Sequence, residues 1–278
     1  MKLRLSYKKP LFVIGVLLCF FQQSLVAQSN KPKNLPLYDE HPYHFGFIIA
    51  LNQMSFATSF YDNYQLIPHN AVEYPGTADS FYNSEATYYT RSAAPFPEYG
   101  FTVGVVGNLR LSKYFDLRLI PSLSFGSRTM TYQFQRIKTD GSVLDPSFLE
   151  KKKSIFSTFV EFPLQVKYKS KRYNNIAAYV IAGGNFKIDL ASQKKSQVEI
   201  NNAQGEQITV TDNIRVKRTD VAAEIGAGFD FYTGYFKFGI EAKMSFGLLN
   251  IIDPQGLIYD TSINNLKNRM FQLSLTFE

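Results

Sequence analysis

Eight segments of this chain alternate apolar and polar residues with period two, and that pattern constrains the fold more than any other feature of the sequence. Alternation of this period puts one set of side chains on one face of a β-strand and the other set on the opposite face. The segments span 44–53, 99–110, 114–126, 155–169, 176–190, 220–232, 235–248 and 268–278, with the alternation broken only at Ile155-Phe156. One face is aliphatic and aromatic, as with Phe45, Phe47, Ile49 and Leu51 in the first segment and Phe271, Leu273, Leu275 and Phe277 in the last. The other face carries Arg118, Glu161, Lys167, Glu224, Lys237, Glu241 and Lys243, interspersed with Gly46, Gly104, Gly226, Gly228 and Gly239. A soluble lipocalin-like barrel or a β-sandwich would turn the apolar face inward. Here that face is too broad and aromatic, and Tyr and Phe cluster at segment ends, where the girdles of a membrane barrel sit. The glycines suit the close packing of a narrow interior.

The connections alternate short and long. Short ones lie around Ser112-Lys113, at 170–175 and at Thr233-Gly234, and long ones at 54–98, 127–154, 191–219 and 249–267. The expected fold is therefore all-β: an eight-stranded antiparallel transmembrane β-barrel with long extracellular loops and short periplasmic turns. An even strand count places both termini in the periplasm. The last segment is expected to pair with 44–53, leaving no open edge in lipid.

The N-terminus fits that destination. Lys2, Arg4, Lys8 and Lys9 precede an apolar run from Leu11 to Phe21, too short to span a bilayer as a helix, and Ser24-Leu25-Val26-Ala27 offers a cleavage site. Residues 1–27 read as a signal peptide, 28–43 as a periplasmic N-terminal arm and 44–278 as the barrel. The single cysteine, Cys19, lies inside the signal without the small preceding residue that lipidation favours. The mature chain thus has no disulfide, thiolate nucleophile or cysteine-based metal site. Removing the signal takes four of the 30 basic residues and no acid, leaving 26 against 23 and a formal +3 instead of +7. That balance gives no argument for nucleic acid.

Chemistry-bearing motifs are sparse. The histidines are His41, His44 and His69, and no metal-ligand cluster or glycine-rich phosphate loop accompanies them. A lipid-trimming barrel hydrolase would need a serine beside His44; a polar residue facing the interior is the favoured reading of that side chain. No catalytic residue, metal, cofactor or small-molecule substrate is expected. Arg118, Glu161, Lys167, Glu224, Glu241 and Lys243 are expected to form an interior polar network, because unpaired buried charges cost several kcal/mol. Eight strands leave only enough room for the barrel's own side chains, so nothing large should pass. In the loops, Lys151-Lys152-Lys153, Lys194-Lys195 and Arg215-Val216-Lys217-Arg218 would meet anionic lipopolysaccharide or stay solvated. Tyr61, Tyr64, Tyr74, Tyr82, Tyr88, Tyr89 and Tyr99 should fold the first loop onto the rim or bind a partner.

After the signal come Asn34-Leu35-Pro36, Tyr38-Asp39 and His44-Phe45-Gly46-Phe47, running into Leu51-Asn52. Further on are Glu161-Phe162-Pro163-Leu164, Ala182-Gly183-Gly184, the strand from Glu224 to Asp230, and Phe246-Gly247-Leu248-Leu249-Asn250. In these motifs the chain resembles the PorT family, barrel-like outer-membrane proteins of Bacteroidetes, over nearly its whole mature length. The N-terminal motif is the most specific, since the later ones also occur in other barrels of that phylum. The resemblance implies a non-enzymatic accessory component of the type IX secretion and gliding machinery, partnered by other secretion components. A filled barrel would serve there by scaffolding or contact. The arm then has two readings: it docks a partner through Asn34, Leu35, Pro36, Tyr38 and Asp39, or it caps the barrel mouth. The alternative function is a general structural or adhesive outer-membrane barrel without a secretion role.

Overall fold

The computed structural model describes residues 32–70, 86–138, 140–191, 197–201, 207–211, 214–254 and 259–278. The signal segment, Lys194-Lys195, Tyr74 and Tyr82 lie outside the described residues. The strands in chain order are β1 (Tyr43–Phe60), β2 (Pro68–Asn70), β3 (Ala86–Phe96), β4 (Glu98–Arg110), β5 (Phe115–Leu119), β6 (Ser122–Lys138) and β7 (Val143–Lys169). They continue with β8 (Ile176–Asp189), β9 (Gln197–Asn201), β10 (Gln207–Thr211), β11 (Thr219–Tyr232), β12 (Lys237–Gly247) and β13 (Ile263–Phe277).

β1 closes the sheet. It pairs antiparallel with β13, Phe47 opposite Phe277 and Gln53 opposite Phe271. Its other edge pairs with β4, Tyr43 opposite Leu109 and Met54 opposite Glu98. The ring then runs β4, β5/β6, β7, β8, β11, β12, β13 and back to β1. β5 and β6 act as one stave: both pair with β4 on one side and with β7 on the other. The break between them falls at Ile120-Pro121, where proline has no N–H for the ladder. Counting them once, the ring has eight staves, all antiparallel. β2 and β3 continue the sheet beyond the ring, and β9 and β10 form a separate hairpin.

The barrel is inside out relative to a soluble protein. Phe45 is 70% exposed, Leu51 68% and Ile225 59%, whereas Arg118 and Glu241 are 0% exposed. Only a hydrocarbon surround makes such an outer wall favourable, since apolar area left in water is costly. Interior glycines let large side chains lie against the wall. A Cβ on Gly228 would stand 2.6 Å from the Tyr179 ring.

The strands are longer than the alternation predicts, and two of the expected loops are corrected. Much of 127–154 is strand, because β6 runs to Lys138 and β7 starts at Val143. Likewise, 54–98 includes the end of β1 and all of β3. The inward parity continues along these extensions, but its chemistry inverts. On β6 the inward residues run Ser122, Ser124, Gly126 and Arg128, then Met130, Tyr132 and Phe134. Above the polar lumen the ring thus holds an ordinary apolar core. Phe56, Tyr88, Met130, Tyr132, Phe134, Ile155, Ile214, Val216, Ile251, Tyr259 and Leu266 pack together there. Ile155 belongs to that core while Phe156 faces outward, which accounts for the break in pattern at that pair.

Candidate functional site: a filled lumen with a capped mouth

The lumen is filled by ion pairs, one of which spans it while others join neighbouring strands. Arg118 Nη1 donates to Glu241 Oε2 at 2.6 Å, both side chains fully buried. Lys167 Nζ donates to Asp230 Oδ2 at 2.6 Å and lies 3.7 Å from the centroid of the Tyr179 ring. Lys243 Nζ is 3.1 Å from Glu224 Oε2, and Lys187 Nζ is 3.4 Å from Glu161 Oε2. Asn185 Nδ2 links the two glutamates, donating to Glu161 at 2.6 Å and Glu224 at 2.8 Å. Towards the long-loop end, Arg128 donates to Asp189 at 2.7 Å while its guanidinium lies 4.8 Å and 4.9 Å from the Phe56 and Phe159 rings. Towards the short-turn end, Lys237 donates to Glu278 at 2.6 Å.

The six residues proposed for an interior network are all buried. Arg118 with Glu241 and Lys243 with Glu224 pair within that set; Lys167 and Glu161 take Asp230 and Lys187, which were not singled out. Arg128, Asp116 and Asp189 are further buried interior charges outside that set. Each sits at an inward strand position, so the parity of the alternation could have found them.

The N-terminal arm closes the short-turn mouth. Asn34 N donates to Asn175 Oδ1 at 2.9 Å, and Asn34 Nδ2 to the Tyr232 carbonyl at 3.0 Å. Arg172 donates to the Leu35 carbonyl at 3.3 Å and also to the Asn34 carbonyl, with its guanidinium 3.8 Å from the Tyr232 ring centroid. Leu35 adopts a positive φ of 48°, which turns the chain into the short 3₁₀ helix Tyr38–Glu40. Tyr38 stacks on His44 at 4.0 Å, and its hydroxyl reaches Glu278 at 3.5 Å. Tyr232 donates its hydroxyl to Asp39 at 2.9 Å, and Lys169 bridges Asp39 at 3.4 Å and Asp116 at 3.0 Å. Burial pushes the Asp39 carboxyl up, but the Lys169 ammonium and the Tyr232 hydroxyl outweigh it and hold it below its ordinary value. Of the five arm residues proposed to contact a partner, Asn34, Tyr38 and Asp39 thus direct their side chains to the barrel, Leu35 is half-buried and Pro36 is exposed.

His44 is committed to the arm, its Nε2 lying 2.8 Å from the Tyr38 carbonyl. Among the described residues no group of His, Cys, Asp or Glu is placed to hold a metal. In the loops, Arg215 pairs with Asp253 at 3.0 Å, and Lys153 lies 4.7 Å over the Tyr259 ring. Tyr88 is buried in the upper core, Tyr64 donates to the Arg91 carbonyl at 3.2 Å, and Tyr99 stays 81% exposed.

A closed ring with an apolar outer wall and a packed, charged lumen defines a membrane β-barrel protein that is filled. The family model for the outer membrane protein beta-barrel domain matches residues 27–253, and the chain belongs to that family. Its place is the outer membrane. β13, which closes the ring, lies beyond the matched stretch. No curated protein sequence matches the chain. Among solved structures, Neisserial surface protein A is similar at 8% identity and a TM-score of 0.37, with 85% of this chain and 98% of that one covered. Ail, the attachment invasion locus protein of Yersinia pestis, is similar at 10% identity and a TM-score of 0.31, covering 85% and 98%. OprG of Pseudomonas aeruginosa is similar at 12% identity and a TM-score of 0.34, covering 84% and 93%.

Proposed function

We propose that this outer-membrane barrel is a non-enzymatic accessory component of type IX protein secretion and gliding, and that it works by contact with other secretion components. The observation that carries this reading is the fate of the Asn34–Phe47 motif, on which the resemblance to the PorT family rests. Its first part, from Asn34 to His44, forms the cap of the short-turn mouth, so the most specific part of the sequence builds much of the surface shown at that end. The lumen is crossed by Arg118–Glu241 and blocked above by the apolar core, which argues for scaffolding over translocation. In this reading both termini and the capped mouth face the periplasm, and Pro36, Leu37 and Glu40 are the arm's outward face towards a partner. Deleting the gene tests it: cargo bearing a C-terminal sorting domain should stay in the cell, and normal secretion of that cargo would remove the secretion role.

One observation favours a second reading, a structural or adhesive barrel. β6 and β7 rise past the lipid-facing band as a strand-built rim around the upper core, a rigid platform for contacts outside the cell. Loss of envelope integrity or surface attachment with intact secretion would support this alternative.

A further inference from the structure

The short-turn mouth holds a concentration of positive charge beside a groove in the lipid-facing wall. A cleft of about 310 Å³ is lined by Lys33, Arg110, Lys113, Lys169, Lys171 and Arg172, against only Asp39 and Glu40. Lys169 is matched by Asp116 and Asp39, and Arg172 is bonded to arm carbonyls. Lys33, Arg110, Lys113 and Lys171 have no carboxylate partner among the described residues. On the outer wall, a groove of about 690 Å³ is lined by Phe115, Val166, Tyr168, Val180, Ile225 and two alanines, Ala182 and Ala227. The alanines give it depth. In register, Val166, Ala182 and Ile225 form one row and Tyr168, Val180 and Ala227 the next, so each row drops from bulky side chains to a methyl.

The two features share one piece of wall. Tyr114 and Lys169 line the cleft, while their chain neighbours Phe115 and Tyr168 line the groove. Lys169 N donates to the Tyr114 carbonyl at 2.9 Å, and the Phe115 and Tyr168 rings are 5.1 Å apart. Aromatic residues at that level mark the boundary between headgroups and hydrocarbon.

We propose that cleft and groove together bind one anionic phospholipid, its phosphate among the unmatched cations of the cleft and one acyl chain in the groove. Unmatched lysines and arginines at a membrane surface attract anionic headgroups, and a zwitterionic headgroup offers them no net charge. A free phosphate would use the cleft but not the groove; the groove commits the site to lipid. The proposal needs the membrane location only and is independent of the secretion reading.

The test is native mass spectrometry of the full-length folded barrel with phosphatidylglycerol or phosphatidylcholine of identical acyl chains. Wild type should retain phosphatidylglycerol in preference. Lys113→Gln with Lys171→Gln should lower that retention by about thirtyfold, from the usual worth of two basic groups near an anionic surface. Ala182→Phe with Ala227→Phe should lower it severalfold with the cleft charges intact. Both variants alter exposed positions, and heat-modifiable gel mobility verifies folding. The wild-type comparison stands alone if a variant does not fold. Equal retention of the two lipids by wild type, unchanged retention in the folded charge variant, or full displacement of the lipid by inorganic phosphate would each overturn the proposal.

Discussion

Arg118 and Glu241 meet at 2.6 Å although their strands, β5 and β12, stand on opposite sides of the ring with three staves between them either way. One ion pair therefore spans the lumen, and neither side chain is exposed. In so enclosed a setting the pair's partners depend on each other. Its attraction offsets a large desolvation penalty only while both charges are present.

Removing one partner should be far worse than removing both. Arg118→Ala leaves the Glu241 carboxylate uncompensated and should cost about 3–5 kcal/mol. Arg118→Met combined with Glu241→Leu should recover most of that loss. Guanidinium unfolding in liposomes reads both, and equal losses in the single and double variants would contradict this coupling.

The outer wall should reject charge in the middle of a stave. Leu164 is 51% exposed on β7 and faces lipid. Leu164→Arg should cost about 2–4 kcal/mol in bilayer-reconstituted protein, as expected near the midplane. Gln165→Ala, one residue along, should instead act through the lumen, because Gln165 Nε2 donates to Glu224 at 2.6 Å.

Gly228 should tolerate no side chain with a branched Cβ. Tyr179 lies over it, and a Cβ there would stand 2.6 Å from that ring. Gly228→Val should shift the chain to the slower, heat-denatured mobility on gels run without boiling. Gly234, which has open space around its Cβ position, should accept alanine without change.

The mouth cap should depend on pH in a defined direction. Asp39 has its folded value lowered, so its contribution is fully present above the ordinary carboxylate value of 3.8 and is lost as pH falls through the lower folded value. Protection factors over residues 32–42, hydrogen exchange relative to the intrinsic rate at each pH, should hold from neutral pH down to about 4 and fall below it. Asp39→Asn should show lower protection factors at neutral pH and little further fall in them on acidification.

Much of this architecture was legible because strand parity carries two kinds of information at once. Outward Phe45, Phe47 and Leu51 marked the lipid face, and inward Arg118, Glu161 and Glu241 marked the lumen, without any knowledge of pairing. The extensions of β6 and β7 were not legible as strand, because above the lipid band the pattern inverts, with apolar Met130, Tyr132 and Phe134 inward and Thr131, Gln133 and Gln135 on the other face. Met130, Tyr132 and Phe134 therefore read as loop hydrophobics, although they are core. Some interior partners were hidden as well, since Lys167 reaches Asp230 two staves away by side-chain length and not by sequence spacing. The arm's docking was open between two readings because it rests on Arg172 and Asn175, turn residues with no periodic signal.

The filled lumen is tested most directly by the conductance of the folded full-length protein in planar bilayers. With Arg118–Glu241 across the lumen, the apolar core above it and the arm over the mouth, the account predicts no stable ion current at any holding potential. Reproducible ohmic channels from the unmutated protein would contradict it.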